Sequence, residues 1–151
     1  MLKYQQEFLS QVQSDIEPLI ELHWEEIALN QDKIKLNPDW SAYSDLETQG
    51  KLKIFTARED DNLVGYFVVI LGTNIHYKDH VFASNDVIYM HKDYRKGFAS
   101  IRLIKFAEKY LKEDGVSVLL INTKTHKPFD KVLERLKFKP IERVFSKFIG
   151  E

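Results

Sequence analysis

Residues 94–100, Tyr-Arg-Lys-Gly-Phe-Ala-Ser, bring two cations and a glycine together. An apolar stretch at residues 87–90 precedes them, and a segment with helical spacing follows. In a strand–turn–helix unit of this kind the N–H groups of the turn and the helix dipole attract an anion, and Arg95 and Lys96 add full positive charge. The pattern predicts an anion-binding loop, and a surface connection that happens to be basic is the equally consistent alternative.

Two side chains elsewhere in the chain are candidates for proton transfer. Asp86 directly precedes the same apolar stretch, where burial would make its carboxylate a better proton acceptor; pairing with a lysine on an edge strand fits as well. His23 falls on the apolar face of the first predicted helix, so it is either a second candidate base or a hydrogen-bonded core histidine. Glu25 and Glu26 either attract a cationic substrate or are solvated acids.

The remaining residues that could do chemistry form weaker patterns. His76 and His80 are four apart in a predicted loop without the carboxylates that a zinc site would add, so we predict no metal site. The chain has no cysteine, which excludes disulfides, thiolate ligands and a cysteine nucleophile and fits a cytoplasmic protein. No Ser-His-Asp arrangement is evident.

The composition limits the classes of protein to which the chain can belong. The 151 residues, of which 44% are hydrophobic and 13% aromatic, fit one globular domain spanning residues 1–151. The longest apolar run, residues 63–71, is too short to cross a bilayer, and the first residues lack the apolar core of a signal peptide. We therefore expect a soluble, cytoplasmic protein without a membrane partner.

Charge is divided between the two parts of the chain. Residues 1–90 hold seven Lys and Arg against 15 Asp and Glu, whereas residues 91–151 hold 15 against eight. The basic part could receive an anionic ligand and the acidic part a cationic one, although solvated helix faces of opposite sign would give the same counts. A nucleic-acid partner is not favoured, because the formal net charge is −1.

Hydrophobic periodicity and turn residues predict four helices and five strands. The helices are residues 15–29, a short one that Asn37-Pro38 begins and Gly50 ends, one that follows the basic turn and ends at Gly115, and one marked by Phe129, Val132, Leu133 and Leu136. The strands are residues 51–58, 63–71, 83–90, 116–122 and 144–149, with a loop at 77–82. This order predicts a mixed α/β sheet.

The basic turn between a strand and a helix, placed after a hairpin, resembles the GNAT family of acyl-CoA-dependent N-acyltransferases over nearly the whole chain. Residues 23–26, 86–89, 94–97 and 103–108 are most similar to a branch common in bacteriophages and prophages. The resemblance implies an α/β (α+β) fold: a mixed, mostly antiparallel central sheet with a splayed parallel strand pair and helices on both faces.

The resemblance also implies a co-substrate, acetyl-CoA, and residues that hold it. The backbone of Ile88 and Met90 would pair with the pantetheine arm, near which Asn122 would also lie unless it serves as a cap. The residues assigned to the pyrophosphate are Arg95, Lys96, Gly97, Phe98, Ala99 and Ser100. Residues 123–127 could reach the 3′-phosphate or be exposed. Tyr94 stands where the family usually has Arg or Gln, so the turn is one residue short or shifted in register.

Leu133 stands where many family members carry a tyrosine as general acid. Tyr89, Tyr94 or water would replace that acid, or the thiolate would leave unprotonated. Asp86 is the first and His23 the second candidate for the base. Backbone N–H groups around Met90 would stabilise the charge on the thioester oxygen.

The resemblance implies an N-acetyltransferase that transfers an acetyl group directly to a primary amine, either of a small molecule or of a protein lysine or N-terminus. The alternative is a degenerate GNAT-fold protein that binds or inhibits a host protein without turnover. A DNA-associated modifier would need a basic groove, which the composition does not indicate. A homodimer could form along the predicted strand at residues 144–149, and a phage-encoded chain would act in the host cytoplasm.

Overall fold

Five strands and four helices make up the computed structural model, which describes all 151 residues. The strands are β1 (Leu2–Glu7), β2 (Leu52–Glu59), β3 (Asn62–Asn74), β4 (Tyr77–Met90) and β5 (Val116–Leu120). The helices are α1 (Leu9–Ile27), α2 (Trp40–Thr48), α3 (Ala99–Glu113) and α4 (Asp130–Arg135), and a 3₁₀ turn, Lys92–Tyr94, joins β4 to α3.

The strands lie side by side in chain order. The pairs β1–β2, β2–β3 and β3–β4 are antiparallel, whereas β5 lies parallel to β4 because α3 carries the chain back across the sheet. The predicted mixed, mostly antiparallel sheet with one parallel pair is thus confirmed.

Helices cover both faces of this sheet. On one, here called the α3 face, helical spacing turns Leu103, Ile104, Ala107 and Leu111 toward Phe55 and its neighbours. On the other, the α1–α2 face, Val12 and Ile16 of α1 pack on Ile54 and Val68. No helix is both long and apolar enough to cross a membrane.

The N-terminal residues differ from the prediction. Residues 2–7, for which no strand was expected, form β1 and pair with β2 from Leu2 opposite Glu59 to Glu7 opposite Ile54. The helix expected from residue 15 begins at Leu9. β1 contains mostly polar residues without regular alternation, and its partner lies about 50 residues away, so local sequence patterns do not reveal it.

Three further expectations are wrong. Residues 77–82 are not a loop but the first part of β4, which pairs there with both β3 and β5. Asp39 rather than Asn37 caps α2, accepting a hydrogen bond from the Ala42 N–H at 2.9 Å. Residues 144–149 form no strand, because no strand lies beside them. The edge expected there for a homodimer is therefore absent, and Val144 and Phe145 are exposed.

The register between β3 and β4 shifts where β4 leaves β5. Val87 lies opposite Val68 and Asn85 lies opposite Val69, so Asp86 has no partner on β3 and occupies a β-bulge. The pairing of β4 with β5 ends at Ser84, six residues before β4 itself ends. The second half of β4 therefore borders an open cleft.

Candidate active site

The side chain of Asn85 marks the point at which β4 and β5 separate. Its Oδ1 accepts a hydrogen bond from the Asn122 N–H at 2.8 Å, and its Nδ2 donates to the Asn122 carbonyl at 3.5 Å. The chain after β5 is thus held to β4 by one side-chain bridge in place of a ladder. Asn122 lies at the start of the cleft, as the predicted site requires.

Beyond this point, the backbone of β4 presents hydrogen-bonding groups to the cleft with which no strand pairs. The His91 N–H donates to the Val64 carbonyl of β3 at 2.8 Å. Because backbone groups alternate in direction along a strand, those of Ile88 and Met90 face away from β3. An extended chain that contains amide groups could pair with them as an added strand would. Ile88 and Met90, the residues predicted to pair with the pantetheine arm, thus both face the cleft.

Gly65 of β3 lets the end of β4 lie close to it. A Cβ atom built on Gly65 would come within 2.7 Å of Met90 Cε and 3.1 Å of the Tyr89 carbonyl. The buried Met90 side chain occupies the space that a larger residue would need. The position of the cleft-facing backbone therefore depends on a glycine in the neighbouring strand.

The turn before α3 leaves the start of the helix open. Gly97 has φ of +97°, a left-handed conformation that favours glycine, and it directs the chain into α3. Phe98, the N-cap residue, provides no side-chain cap, so the first N–H groups of α3 have no partner within the protein. Lys96, Gly97 and Phe98 are exposed, whereas Ala99 and Ser100 are half-buried. These features fit the predicted anion-binding loop.

Tyr94, which replaces the usual Arg or Gln, has a structural contact. Its hydroxyl donates to the Glu59 carboxylate at the end of β2, which raises the pKa of Tyr94 and lowers that of Glu59. The tyrosine thus ties the turn to the β2–β3 hairpin.

Arg95 points away from the start of α3. Its Nε donates to the Met90 carbonyl at 2.7 Å, and one terminal nitrogen donates to both carboxylate oxygens of Glu26 at 2.9 and 3.0 Å. Its guanidinium carbon lies 5.7 Å from the centre of the Tyr89 ring. Arg95 was assigned to the pyrophosphate, but in this structure it connects the end of β4 with α1.

A second cleft, of about 350 Å³, lies between α1 and the end of β4. Its lining residues are Leu22, Glu25, Glu26, Tyr89, His91 and Lys92. The loop between β5 and α4 approaches the end of α1, where a His126 ring nitrogen lies 2.9 Å from the Ile27 carbonyl oxygen. Glu25 and Glu26, which belong to the acidic residues 1–90, place two carboxylates beside the end of β4.

His23 and Tyr89, two of the predicted catalytic residues, are in contact. Their ring centres lie 5.3 Å apart. Burial lowers the pKa of His23; the charge of Glu26 opposes this shift, and those of Arg95 and Lys124 add to it. Burial also raises the pKa of Tyr89, as does the charge of Glu26. The histidine is therefore held neutral, and the tyrosine keeps its proton as a potential donor.

Asp86, the third predicted catalytic residue, lies apart from them. It is exposed, so the expected burial is wrong, because the bulge turns the side chain out of the strand register. Its Oδ2 accepts a hydrogen bond of 2.5 Å from the Tyr43 hydroxyl of α2. Burial and this carboxylate raise the pKa of Tyr43. Four residues of strand, roughly 13 Å, separate Asp86 from Met90.

Sequence reasoning missed two tyrosines on the α1–α2 face. Tyr43 lies within the predicted short helix and Tyr66 within the strand predicted at residues 63–71, and neither was singled out. Tyr66 is fully buried and its hydroxyl has no hydrogen-bond partner in the protein. Its ring lies 5.6 Å from that of Tyr89. Their spacing along the chain carries no signal, since only the fold brings helix α2 and strands β3 and β4 together.

The positions of the other singled-out residues argue for structural roles. Leu133, in the place of the family tyrosine, is buried in the α3 face. A His80 ring nitrogen lies 2.9 Å from Ser117 Oγ on β5, and the His76 ring packs beside Tyr77. The structure contains no group of three or more His, Asp and Glu side chains arranged to hold a metal ion.

Comparison with known proteins gives likenesses in structure but not in sequence. No protein-family model matches the chain, and a search of curated proteins gives no significant match. A ribosomal-protein-alanine N-acetyltransferase from Brucella melitensis biovar Abortus 2308 superposes with a TM-score of 0.73 at 21% identity, covering 99% of this chain and 100% of that one.

Two further solved structures are similar over the same length. An aminoglycoside acetyltransferase from an uncultured soil metagenomic sample, in complex with sisomicin, has a TM-score of 0.73 at 14% identity, covering 99% of this chain and 95% of that one. A predicted acetyltransferase from Clostridium acetobutylicum, solved with acetyl-CoA, has a TM-score of 0.73 at 10% identity, with coverages of 99% and 97%. With its splayed β4 and β5 and the open start of α3, the chain has the GNAT fold.

Proposed function

We propose that the chain is an acetyl-CoA-dependent N-acetyltransferase that transfers the acetyl group directly to a primary amine. The observation that carries this proposal is the second half of β4, where no strand pairs with the outward backbone groups of Ile88 and Met90 and which leads to the unpaired N–H groups at the start of α3. The likeness to acetyltransferases of aminoglycosides and of a ribosomal protein supports it.

The residues present fit the co-substrate. Ile88 and Met90 would hold the pantetheine arm through their backbone, beside Asn122 at the start of the cleft. Lys96 and the backbone from Gly97 to Ser100 would hold the pyrophosphate, because exposed N–H groups and the dipole of α3 favour an anion there. When bound, acetyl-CoA supplies a thioester with an acetyl carbon open to attack by an amine.

The protein's own groups would move the protons. Asp86 is exposed and far from Met90, so we propose that it accepts the ammonium proton of the acceptor through water. Tyr89 lines the second cleft and keeps its proton, so it would donate to the leaving thiolate. His23 does not line that cleft. We propose that it holds the Tyr89 ring in place.

The acceptor would be the amine of a small molecule or of a protein. The resemblance to the phage and prophage branch, and with it a location in the cytoplasm of a bacterial host, stays a prediction. Binding without turnover is the second candidate function, and it is favoured by the buried Leu133 at the position of the usual acid. The two functions differ in whether thiol is released.

The test combines binding with turnover. We expect acetyl-CoA, but not adenosine, to raise the melting temperature, and a panel of polyamines, aminoglycosides and lysine peptides to release free thiol. Asp86→Asn should lower kcat by about 10² or more and leave acetyl-CoA affinity unchanged, because general base catalysis contributes about 10²–10⁴. Asp60→Asn, in the β2–β3 turn, is the matched control.

Each contrary result has a definite meaning. No thermal shift with acetyl-CoA would refute the proposed site. Acetyl-CoA binding without thiol release from any amine would favour the second candidate function. A loss of kcat in Asp86→Asn no larger than that in Asp60→Asn would refute Asp86 as the base.

A further inference from the structure

We infer that Glu26 is an acceptor-binding carboxylate that Arg95 masks until coenzyme A is bound. The inference rests on the proposed function and deepens it, because it names the chemical class of the acceptor, a cation, and the order in which the two substrates bind. It starts from the contacts of Arg95, which differ from those that the sequence predicts.

Arg95 is held by two kinds of acceptor at once. The bonds to both Glu26 oxygens are charge-assisted, and the bond from Nε to the Met90 carbonyl is short at 2.7 Å. The Tyr89 ring lies beside the guanidinium. The contact with Arg95 lowers the pKa of Glu26, as the hydrogen bonds of an ion pair do. In this state the pair closes the end of β4 against α1.

The masked state conflicts with a bound pantetheine arm. The Met90 carbonyl faces the cleft, and Arg95 already occupies it. An amide donor that pairs with that carbonyl, as a neighbouring strand would, competes with Arg95 for it. Once free, Arg95 is close in sequence to the unpaired start of α3, where a pyrophosphate offers more negative charge than one carboxylate. Coenzyme A thus both competes with the masked contacts and attracts the released guanidinium.

Release of Arg95 changes the charge of the second cleft. With Arg95 paired to Glu26, Glu25 and Lys92 balance each other among the lining residues. Without Arg95, two carboxylates face one lysine, and the Tyr89 ring adds a surface that favours a cation. Lys127 of the β5–α4 loop also lowers the pKa of Glu26, but it acts from outside the residues that line the cleft. The opened cleft therefore suits an ammonium group.

The experiment measures the binding of spermidine, a flexible polyamine probe, by calorimetry with and without saturating coenzyme A, which carries no acetyl group to transfer. We expect coenzyme A to tighten spermidine binding about tenfold or more. By linkage, spermidine must tighten coenzyme A binding by the same factor. Arg95→Ala should bind spermidine tightly without coenzyme A, and Glu26→Gln should bind it weakly in both states.

Two further variants exclude trivial effects. Arg95→Lys keeps the charge but loses the simultaneous contact with Glu26 and the Met90 carbonyl. It should therefore reduce the effect of coenzyme A on spermidine affinity and preserve the fold. Arg143→Ala removes an exposed arginine in the segment that follows α4. It should leave the effect of coenzyme A on spermidine affinity unchanged.

The outcomes separate this inference from the proposed function. Equal spermidine affinity with and without coenzyme A overturns the masking by Arg95, while coenzyme A binding and thiol release would still support the enzyme. No spermidine binding in the presence of coenzyme A overturns the assignment of Glu26. No coenzyme A binding at all overturns the proposed function and the inference together.

Discussion

The two faces of the sheet differ in what they bury. The α3 face packs 15 buried apolar residues around Phe55, whose ring lies 5.4 Å from that of Tyr110 and 6.2 Å from that of Phe106. The α1–α2 face has a smaller cluster of eight, and among or beside them lie Tyr43, Tyr66, His23 and Tyr89.

This difference indicates a division of work between the faces. The α3 face has the close-packed apolar character that gives a fold most of its stability. The α1–α2 face keeps polar and titratable side chains next to the bulged end of β4, and it buries fewer apolar residues. Removal of a packed side chain should thus lower the free energy of unfolding most on the α3 face. Removal of a single hydrogen bond should lower it most on the α1–α2 face.

The largest effect should come from Phe55→Ala. Phe55 is fully buried at the centre of the α3 face, and truncation of such a ring costs about 3–5 kcal/mol in the free energy of unfolding. Denaturation by urea measures the loss. Phe145→Ala, which truncates an exposed ring, is the control and should change stability by less than about 0.5 kcal/mol. Similar losses in the two variants would contradict the assignment of the main core.

An intermediate effect, dependent on pH, should come from Glu7→Gln at the edge of the α1–α2 face. Burial raises the pKa of Glu7, but bonds from Arg58 at 2.9 and 3.2 Å and from Thr56 outweigh it, so the pKa lies below its ordinary value of 4.5. The ionised carboxylate therefore stabilises the folded state above about pH 4.5. This contribution is lost as the pH falls through the lowered pKa.

We expect Glu7→Gln to lose about 2 kcal/mol at pH 7, as for a hydrogen bond to a charged group, and to approach the parent chain in stability below pH 4. Urea midpoints between pH 3.5 and pH 7 measure the difference. A constant difference across this range would show that the charge of Glu7 is not what stabilises the contact.

The smallest effect should come from Tyr43→Phe. It removes the hydroxyl that donates to Asp86 and leaves the ring packed beside Trp40, so the free energy of unfolding should fall by about 1 kcal/mol. Tyr77→Phe, at an exposed tyrosine, is the matched control. Equal thermal denaturation midpoints in the two variants would show that α2 is not tied to the bulge of β4.

Local patterns predicted those elements that carry their own signal. The apolar spacing of α3 and the β-branched residues of β3 marked a helix and a strand, and the basic turn between β4 and α3 was placed correctly. The polar β1 was missed because only its pairing with β2 makes it a strand. The opposite error was made at residues 144–149, where the apolar residues predicted a strand but no neighbouring strand pairs with them.

Only the part of the candidate site that consists of backbone groups was predictable from the sequence. The place of Gly97 between a strand and a helix follows from the local sequence, whereas the assignment of Ile88 and Met90 comes from the resemblance to the GNAT family. The direction of Arg95 follows from neither, because it depends on Glu26, which lies 69 positions away in the chain. The exposure of Asp86 depends on a bulge, which is a property of the β3–β4 register and leaves no mark on β4 alone.

Gly65 has a consequence for how this protein can vary. It touches no proposed ligand, and a survey of ligand contacts would treat it as replaceable. Any side chain there would press on Met90 and on the Tyr89 carbonyl, and so displace the two residues on which cofactor and acceptor would meet. A mutational library aimed at new acceptors should hold residue 65 constant and vary the cleft around it, because a side chain at residue 65 would shift the end of β4 and so change the site independently of the cleft residues under selection.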